Sequence, residues 1–530
     1  MSRYTPLFLI LHALFYMGCS HDETKKTTPS SSFTIASIDD PHTLDPRLMG
    51  DLSATTISHM LFEGLMRTNA NGILEPAIAN HVTISEDLKT YTFKLRPSEW
   101  SDGTPLTAED FAETWLSTLA PNFLARNAYQ LFMIKGAKQF KDGLISKKLV
   151  GVKATSPDTL VVELEHPTPY FLELTSCHFY FPVHPETRSE STDKEDAIIG
   201  NGPFKQNRWE HRSVFEVVKN PLYWDANAVH LDTITLQILD EATALQLFKA
   251  GSLSWVGSPL STLPQDAVAS LKQEGSLQIL PGAGTHWFRF NTERPPFTSE
   301  KLRRAFALAL DRQAIVDHVT QGNQRPAIGI IPPSFGFNHQ DYYKDHDIEQ
   351  AQKLFKEAVE ENWESIAAMP QVTLLYAAND RNHKIAQAVQ HQWNQAFNIN
   401  LLIESGEQKI VTDRMRSGKY QMSVGSWYAD ILDPINFLEI FQSRDTPTNQ
   451  TFWHNGAYTA LLEKSALEQE PKNRLKTLND AEKILMEGMP VAPLFYSAFN
   501  YLKTDKIKGV YFSPLGYLDF KQAFFDEDVQ

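Results

Sequence analysis

The stretch GSWYADILDP, residues 425 to 434, holds two carboxylates three positions apart that read differently. Asp433 stands before Pro434 and the apolar-periodic residues Ile435, Phe437, Leu438 and Phe441, the pattern of a helix N-cap with proline at the first helical position. Asp430 follows Ser426, Trp427, Tyr428 and Ala429 in a run that reads as a strand entering a buried turn. Three kinds of chemistry fit an acid there: a second turn-stabilising group, a partner for an arginine of the chain, or a partner for a positively charged ligand.

A reaction is harder to find. The chain has no H-E-x-x-H, no paired Cys-x-x-Cys, no G-x-S-x-G elbow and no P-loop. Its 17 histidines are scattered, and the spacing of His178 and His184 around Cys177 fits no common zinc pattern. GAGTHW at 282–287 is a two-glycine turn and falls short of a dinucleotide fingerprint. A carboxylate pair for glycoside hydrolysis stays open among 64 acids, because carboxylate separation is a property of the fold. These residues specify no catalytic centre, no metal and no cofactor.

The elements that must position Asp430 are legible from periodicity. YTFKLR puts Tyr91, Phe93 and Leu95 on one face, and TLVVELE does the same with Leu160, Val162 and Leu164, so both predict half-buried strands. Thr107 and Asp110 form an approximate capping box before a helix carrying Phe111 and Trp115. The run from Ser299 to Val319 predicts one helix entered through Thr298 or Ser299, and further helices are expected at 348–359, 384–397 and from 458 through 486. Segments 372–378 and 398–404 flank one of these as a strand–helix–strand unit. Strand-like and helix-like segments thus alternate without an internal repeat, which predicts a mixed α/β body.

Composition bounds the partners. With 530 residues, 42% hydrophobic and 21% charged, the chain is long enough for two or three lobes, and no polar linker separates independent domains after Ser32. A net charge of −15 without a basic cluster argues against nucleic acid and suits a cationic or zwitterionic ligand better than a polyanion. Residues 1–18 combine Arg3 with an apolar run too short to span a bilayer, which reads as a secretion signal. Gly18-Cys19 resembles the cleavage site of bacterial lipoproteins, in which the cysteine is acylated, although Tyr16 stands where leucine is usual. Residues 19–32 are polar and read as a tether, and Cys177 reads as a small buried hydrophobe.

Several phrases in order carry a resemblance over essentially the whole mature chain: HTLDP at 42–46, LFEGLMR at 61–67, YTFKLRPSEWSDGTPLTAEDFAETW at 91–115, NGPFKQNRWE at 201–210, NPLYW at 220–224, FNTERPPFTSEKLRRAFALALDR at 290–312, and the stretch around Asp430. The chain resembles the peptide-binding lipoproteins that feed bacterial ABC importers, the oligopeptide branch of solute-binding family 5. The resemblance implies an α/β fold of the periplasmic binding protein-like type II class, cluster C, with two lobes, a hinge crossed twice and an extra domain. Transferred to this chain, lobe I is 33–70, 187–285 and 496–530, the extra domain 71–186, and lobe II 286–495. It implies a non-catalytic, monomeric receptor, lipid-anchored in the periplasm or cell envelope, that hands oligopeptides to an importer's permease and ATPase. Murein peptides or dipeptides are alternatives on the same scaffold, and a secreted hydrolase is the alternative of another class.

The resemblance also assigns roles. Asp430, in the W-x-A-D phrase of Trp427, Tyr428, Ala429 and Asp430, would pair with the ligand's α-ammonium, and main-chain groups from Ser426 to Tyr428 would pair with its backbone by strand addition. Trp287, Arg289, Tyr129, Gly257 in the segment 257–259, and Asp40 are further cleft candidates. Arg289 stands where the enteric relatives have an acid, which favours acidic ligand side chains nearby. Cationic positions that serve the ligand carboxylate in those relatives hold Val424, Met415 and Asn382 here, so the resemblance leaves that end of the ligand unassigned.

Overall fold

The computed structural model describes residues 31–125, 127–188, 198–336 and 342–526. The expected signal, Cys19 and nearly all of the tether lie outside the described residues. Ser31 and Ser32, assigned to the tether on composition, belong to the body instead: Ser31 N–H donates to the Asp232 carboxylate at 2.9 Å, and Ser32 opens a strand, Ser32–Ser37, parallel to Thr233–Ile238. Polar residues can end a strand as readily as a tether, so composition did not separate the two.

Among the described residues the largest sheet has eleven strands. From one edge run Leu402–Gly406, Thr373–Ala377, Met422–Tyr428, Gln278–Phe290 and Val491–Lys503; Trp255–Gly257, Ser32–Ser37, Thr233–Ile238, Val214–Lys219 and Phe204–Glu210 complete the order, with Arg325–Pro326 paired beside Val491–Lys503. Gln278–Phe290 and Val491–Lys503 are antiparallel and 13 residues each, and they run from one hydrophobic core into another. Leu280, Phe499 and Tyr501 pack on a core built around Phe33, Ile35 and Trp255. Phe288, Phe290, Val491 and Phe495 belong to a second core with Phe306, Leu374 and Trp393. Their register shifts between Pro281 and Thr285, at the passage from one core to the other, which bends and twists a strand pair.

A four-stranded sheet, Ala79–Ile84, Thr90–Leu95, Thr159–Glu163 and Val152–Ser156, carries both predicted alternating strands. Thr107 N–H donates to the Asp110 carboxylate at 2.9 Å and starts helix Ala108–Thr118, which buries Phe111 and Trp115. These residues share the first core with Phe33 and Ile35, so this segment has no core of its own.

The strand–helix–strand unit forms as Thr373–Ala377, Asp380–Phe397 and Leu402–Gly406, its strands parallel. Two helix expectations need correction. The periodic run after Ser299 is not one helix: Glu300–Leu308 ends, and Arg312–Ile315 restarts under Asp311, whose carboxylate accepts the Ala314 N–H at 2.9 Å. The span 458–486 divides into Gly456–Leu467 and Pro471–Gly488, because Pro471 cannot continue a helix but fits its first turn. No helix of the described residues is long and apolar enough to cross a membrane.

Candidate ligand-binding site

Strand Met422–Tyr428 has unequal edges. One pairs with Gly284–Phe290 along its full length; on the other, Thr373–Ala377 reaches only Met422 and Ser423. From Val424 to Tyr428 the second edge therefore has no strand partner among the described residues. The turn beyond is fixed by a residue that periodicity did not single out. Asn436, 3% exposed, accepts at its Oδ1 from Trp427 Nε1–H at 3.0 Å and from Asp430 N–H at 3.1 Å. Ala429 N–H donates to Ala283 O at 2.9 Å.

The two acids of the opening motif now separate. Asp433 accepts the Ile435 N–H at 2.9 Å, as its N-cap reading expects, and takes both arms of Arg474 at 2.6 and 2.9 Å. The arginine that could have explained Asp430 is thus bound elsewhere. Among the described residues no lysine, arginine or histidine ion-pairs with Asp430; its carboxylate accepts the Tyr129 hydroxyl at 3.3 Å, and Gln130 Nε2–H donates to that hydroxyl at 3.1 Å. Burial raises the Asp430 pKa above the usual aspartate value, and hydrogen bonds from Gln130, Tyr129 and Asn436 only partly oppose it.

A cavity of about 460 Å³ adjoins this carboxylate, with Tyr428, Glu173, Cys177 and His178 in its wall. Burial raises the Glu173 pKa and pushes His178 down to about 4, so the wall holds acids and a neutral imidazole. Cys177, expected as a small buried hydrophobe, is only partly buried, its Sγ lies 3.5 and 3.7 Å from Glu173 O and Asp430 O, and burial pushes the thiol pKa up, away from a reactive thiolate. Glu439, near Tyr170 Oη at 3.5 Å, is pushed up to about 7 by burial and then by Asp430 and Asp433.

Trp287 and Arg289 lie on the neighbouring strand, opposite Gly425 and Ser423. Arg289 Nη2–H reaches Ser426 O at 3.4 Å and Nη1 lies 3.9 Å from Met415 Sδ, while burial lowers the guanidinium pKa. Half-exposed Tyr428 touches His286 Nε2 at 2.9 Å through its hydroxyl, and Arg381 Nη2–H donates to the same nitrogen at 3.2 Å. Burial and then Arg381 push His286 down to about 3, so the ring is neutral, and the donating Arg381 N–H makes its Nε2 an acceptor. The structure thus brings Ser426, Trp427, Tyr428, Ala429, Asp430 and Tyr129 together, with Trp287 and Arg289 on the adjoining strand.

Two candidates are not brought to this group. Asp40 spends its carboxylate on Trp209 Nε1–H at 3.3 Å and Arg212 N–H at 2.6 Å, tying down the hairpin of strands Phe204–Glu210 and Val214–Lys219. Gly257 has φ 93° and passes so close to the last long strand that a Cβ would stand 2.6 Å from Asn500 O, which is a backbone reason for glycine. Sequence reasoning missed Asn436, Gln130 and Glu439; the only trace was a polar residue and an acid inside the apolar run INFLEIF. No group of three or more His, Cys, Asp or Glu side chains that could hold a metal occurs among the described residues.

Residues 74–449 match the model of bacterial extracellular solute-binding proteins, family 5 middle. The oligopeptide-binding protein OppA of Bacillus subtilis (strain 168) is 37% identical over 529 residues, 98% of this chain and 97% of its own. Among solved structures, the unliganded open form of the murein tripeptide binding protein MppA superposes with a TM-score of 0.81 at 27% identity, over 94% of this chain and 98% of that one. OppA of Haemophilus influenzae, complexed with RPPGFSPFR, gives 0.73 at 26% identity over 94% and 99%.

Proposed function

Because the chain belongs to the bacterial extracellular solute-binding proteins of family 5, we propose that it captures oligopeptides outside the cytoplasm and delivers them to an ABC importer, without catalysing a reaction. The observation that carries this reading is Asp430: a partly buried carboxylate without a cationic partner among the described residues, at the end of a strand edge open from Val424 to Tyr428. The ligand's α-ammonium supplies the missing charge, and its backbone takes the open edge, a mode that serves peptides of any sequence. Bridging water in the adjoining cavity serves varied side chains at little enthalpic loss.

The cleft lies between lobe I (33–70, 187–285 and 496–530, carrying the extra domain 71–186) and lobe II (286–495). Two long strands passing from one core to the other, with a register shift at the passage, support this division and supply a hinge about which the lobes close. Cys19 anchors the mature protein through lipid.

Asp430→Asn tests the reading. Stranding a buried ammonium costs roughly 2–5 kcal/mol, about thirty-fold to several-thousand-fold in affinity. Calorimetric titration is expected to show that loss for peptides with a free amine and little change for their N-acetylated forms; equal losses remove Asp430 from the ligand. A murein peptide cargo is the second reading, favoured by the 0.81 superposition on MppA. Mass spectrometry of gently isolated protein separates them: mixed intact peptides support the first, muropeptides the second, and defined cleavage products a hydrolase.

A further inference from the structure

Beside the open strand, one buried hydrogen-bond donor lacks an acceptor and one cation lacks a counter-charge. Trp287 is 1% exposed, and its Nε1–H has no hydrogen-bond partner among the described residues. A buried donor left unsatisfied is unfavourable by the full cost of its desolvation, so an acceptor supplied from outside gains that energy back. Arg289 lies next to it: its guanidinium fills the space that a Cβ on Gly425 would take, and Trp287 Nε1 stands 3.1 Å from that same point. Arg289 makes no ion pair among the described residues; its contacts are the Ser426 carbonyl at 3.4 Å, the Met415 sulfur at 3.9 Å and the Trp287 ring at 5.7 Å. A carbonyl and a thioether leave its charge uncompensated.

We propose that the Arg289 guanidinium and the Trp287 N–H form a second charged subsite, which receives a carboxylate of the ligand. This rests on the reading of Asp430 as the ammonium partner. Glycine at 425 is what makes the subsite possible, because any side chain there would displace the guanidinium. Gly425 and Asp430 are five positions apart, at most roughly 16 Å at ~3.3 Å per residue, because the strand ends at Tyr428 and Asp430 lies in the turn beyond. An extended guest with its ammonium on Asp430 therefore brings to Arg289 either its own C-terminal carboxylate, if it has up to about six residues, or an Asp or Glu side chain at that depth if it is longer. The two ends of one strand edge then carry opposite charges, which fixes the direction in which the ligand lies.

The experiment is a peptide panel titrated into the wild type, Arg289→Gln and Arg289→Lys. It compares two- to eight-residue peptides as free acids, as C-terminal amides, and as amides with one glutamate stepped along the chain. In the wild type, the free acid of matching length, or the amide with glutamate at the matching step, is expected to bind at least about thirty-fold tighter than the neutral amide. Arg289→Gln is expected to abolish that preference while keeping the penalty for N-acetylation, which also certifies its fold and its Asp430 end. Arg289→Lys is expected to keep an intermediate preference, since it retains the charge but not the planar fork. Acids and neutral amides binding equally to the wild type, or a preference that survives in Arg289→Gln, overturns the subsite. A wild type indifferent to N-acetylation overturns the Asp430 reading instead, and this one with it.

Discussion

A carboxylate held in an apolar environment records its strain as a dependence on pH. Glu439 is pushed from glutamate's ordinary 4.5 up to about 7, first by burial and then by Asp430 and Asp433. A raised acid pKa means the folded state holds its proton more tightly than the unfolded state, so ionisation destabilises the fold progressively from about pH 4.5 to 7 and constantly above. Glu439→Gln is therefore expected to be more stable than the wild type above pH 7, by roughly 3 kcal/mol, with the two converging below about pH 4.5. Thermal scans between pH 4 and 8 check it; parallel curves would mean that Glu439 is solvated. At this scale the sequence showed unevenly. Asp430 could be singled out because a carboxylate after Trp427, Tyr428 and Ala429 has no local explanation, whereas Glu439 sits at a spacing that reads as the solvent face of a helix. What buries it includes Tyr170, 269 positions away, and no local pattern encodes that neighbour.

Elements were legible where the signal is local. Alternation placed the strands at 90–95 and 159–163, and the Thr107–Asp110 box placed a helix start. The missed breaks share a cause: Asp311 and Pro471 interrupt runs whose apolar period continues across them, so periodicity outvoted the capping signal. The register shift between the two long strands was not legible at all, because it depends on which residues face each other across the sheet. Gly284 sits beside that shift, and a Cβ on it would come within 2.6 Å of the Tyr428 ring and 2.8 Å of Ser497 Oγ. Gly284→Ala is expected to destabilise the fold by about 1–3 kcal/mol, the range for overpacking, and to weaken peptide binding by pushing Tyr428 from its place. Gly456→Ala, at the first position of a helix where a Cβ meets nothing within 4 Å, is the control. It is expected to leave binding unchanged and to gain about 0.4–1 kcal/mol of stability. Denaturant unfolding and peptide titration on both variants separate packing from binding.

At the scale of the whole body, composition and length allowed two or three lobes, and the order proposed for them along the chain rests on the family resemblance. The reason is topological: the chain enters the second core on strand Gln278–Phe290 and leaves it on strand Val491–Lys503, so the passages are strands inside a sheet and carry no linker signature. Under the proposed division, a ligand held between the lobes shifts the open–closed equilibrium only by the difference in its affinity for the two arrangements. Two consequences follow for the intact protein. A free-amine peptide at one hundred times its dissociation constant is expected to raise the unfolding free energy by about 2.7 kcal/mol, while the N-acetylated form at the same concentration adds far less. Small-angle scattering of the same samples is expected to show a smaller radius of gyration with the first peptide and no change with the second. If the first peptide stabilises without contraction, the site is filled but the lobes do not close on it, and the importer must read something other than closure.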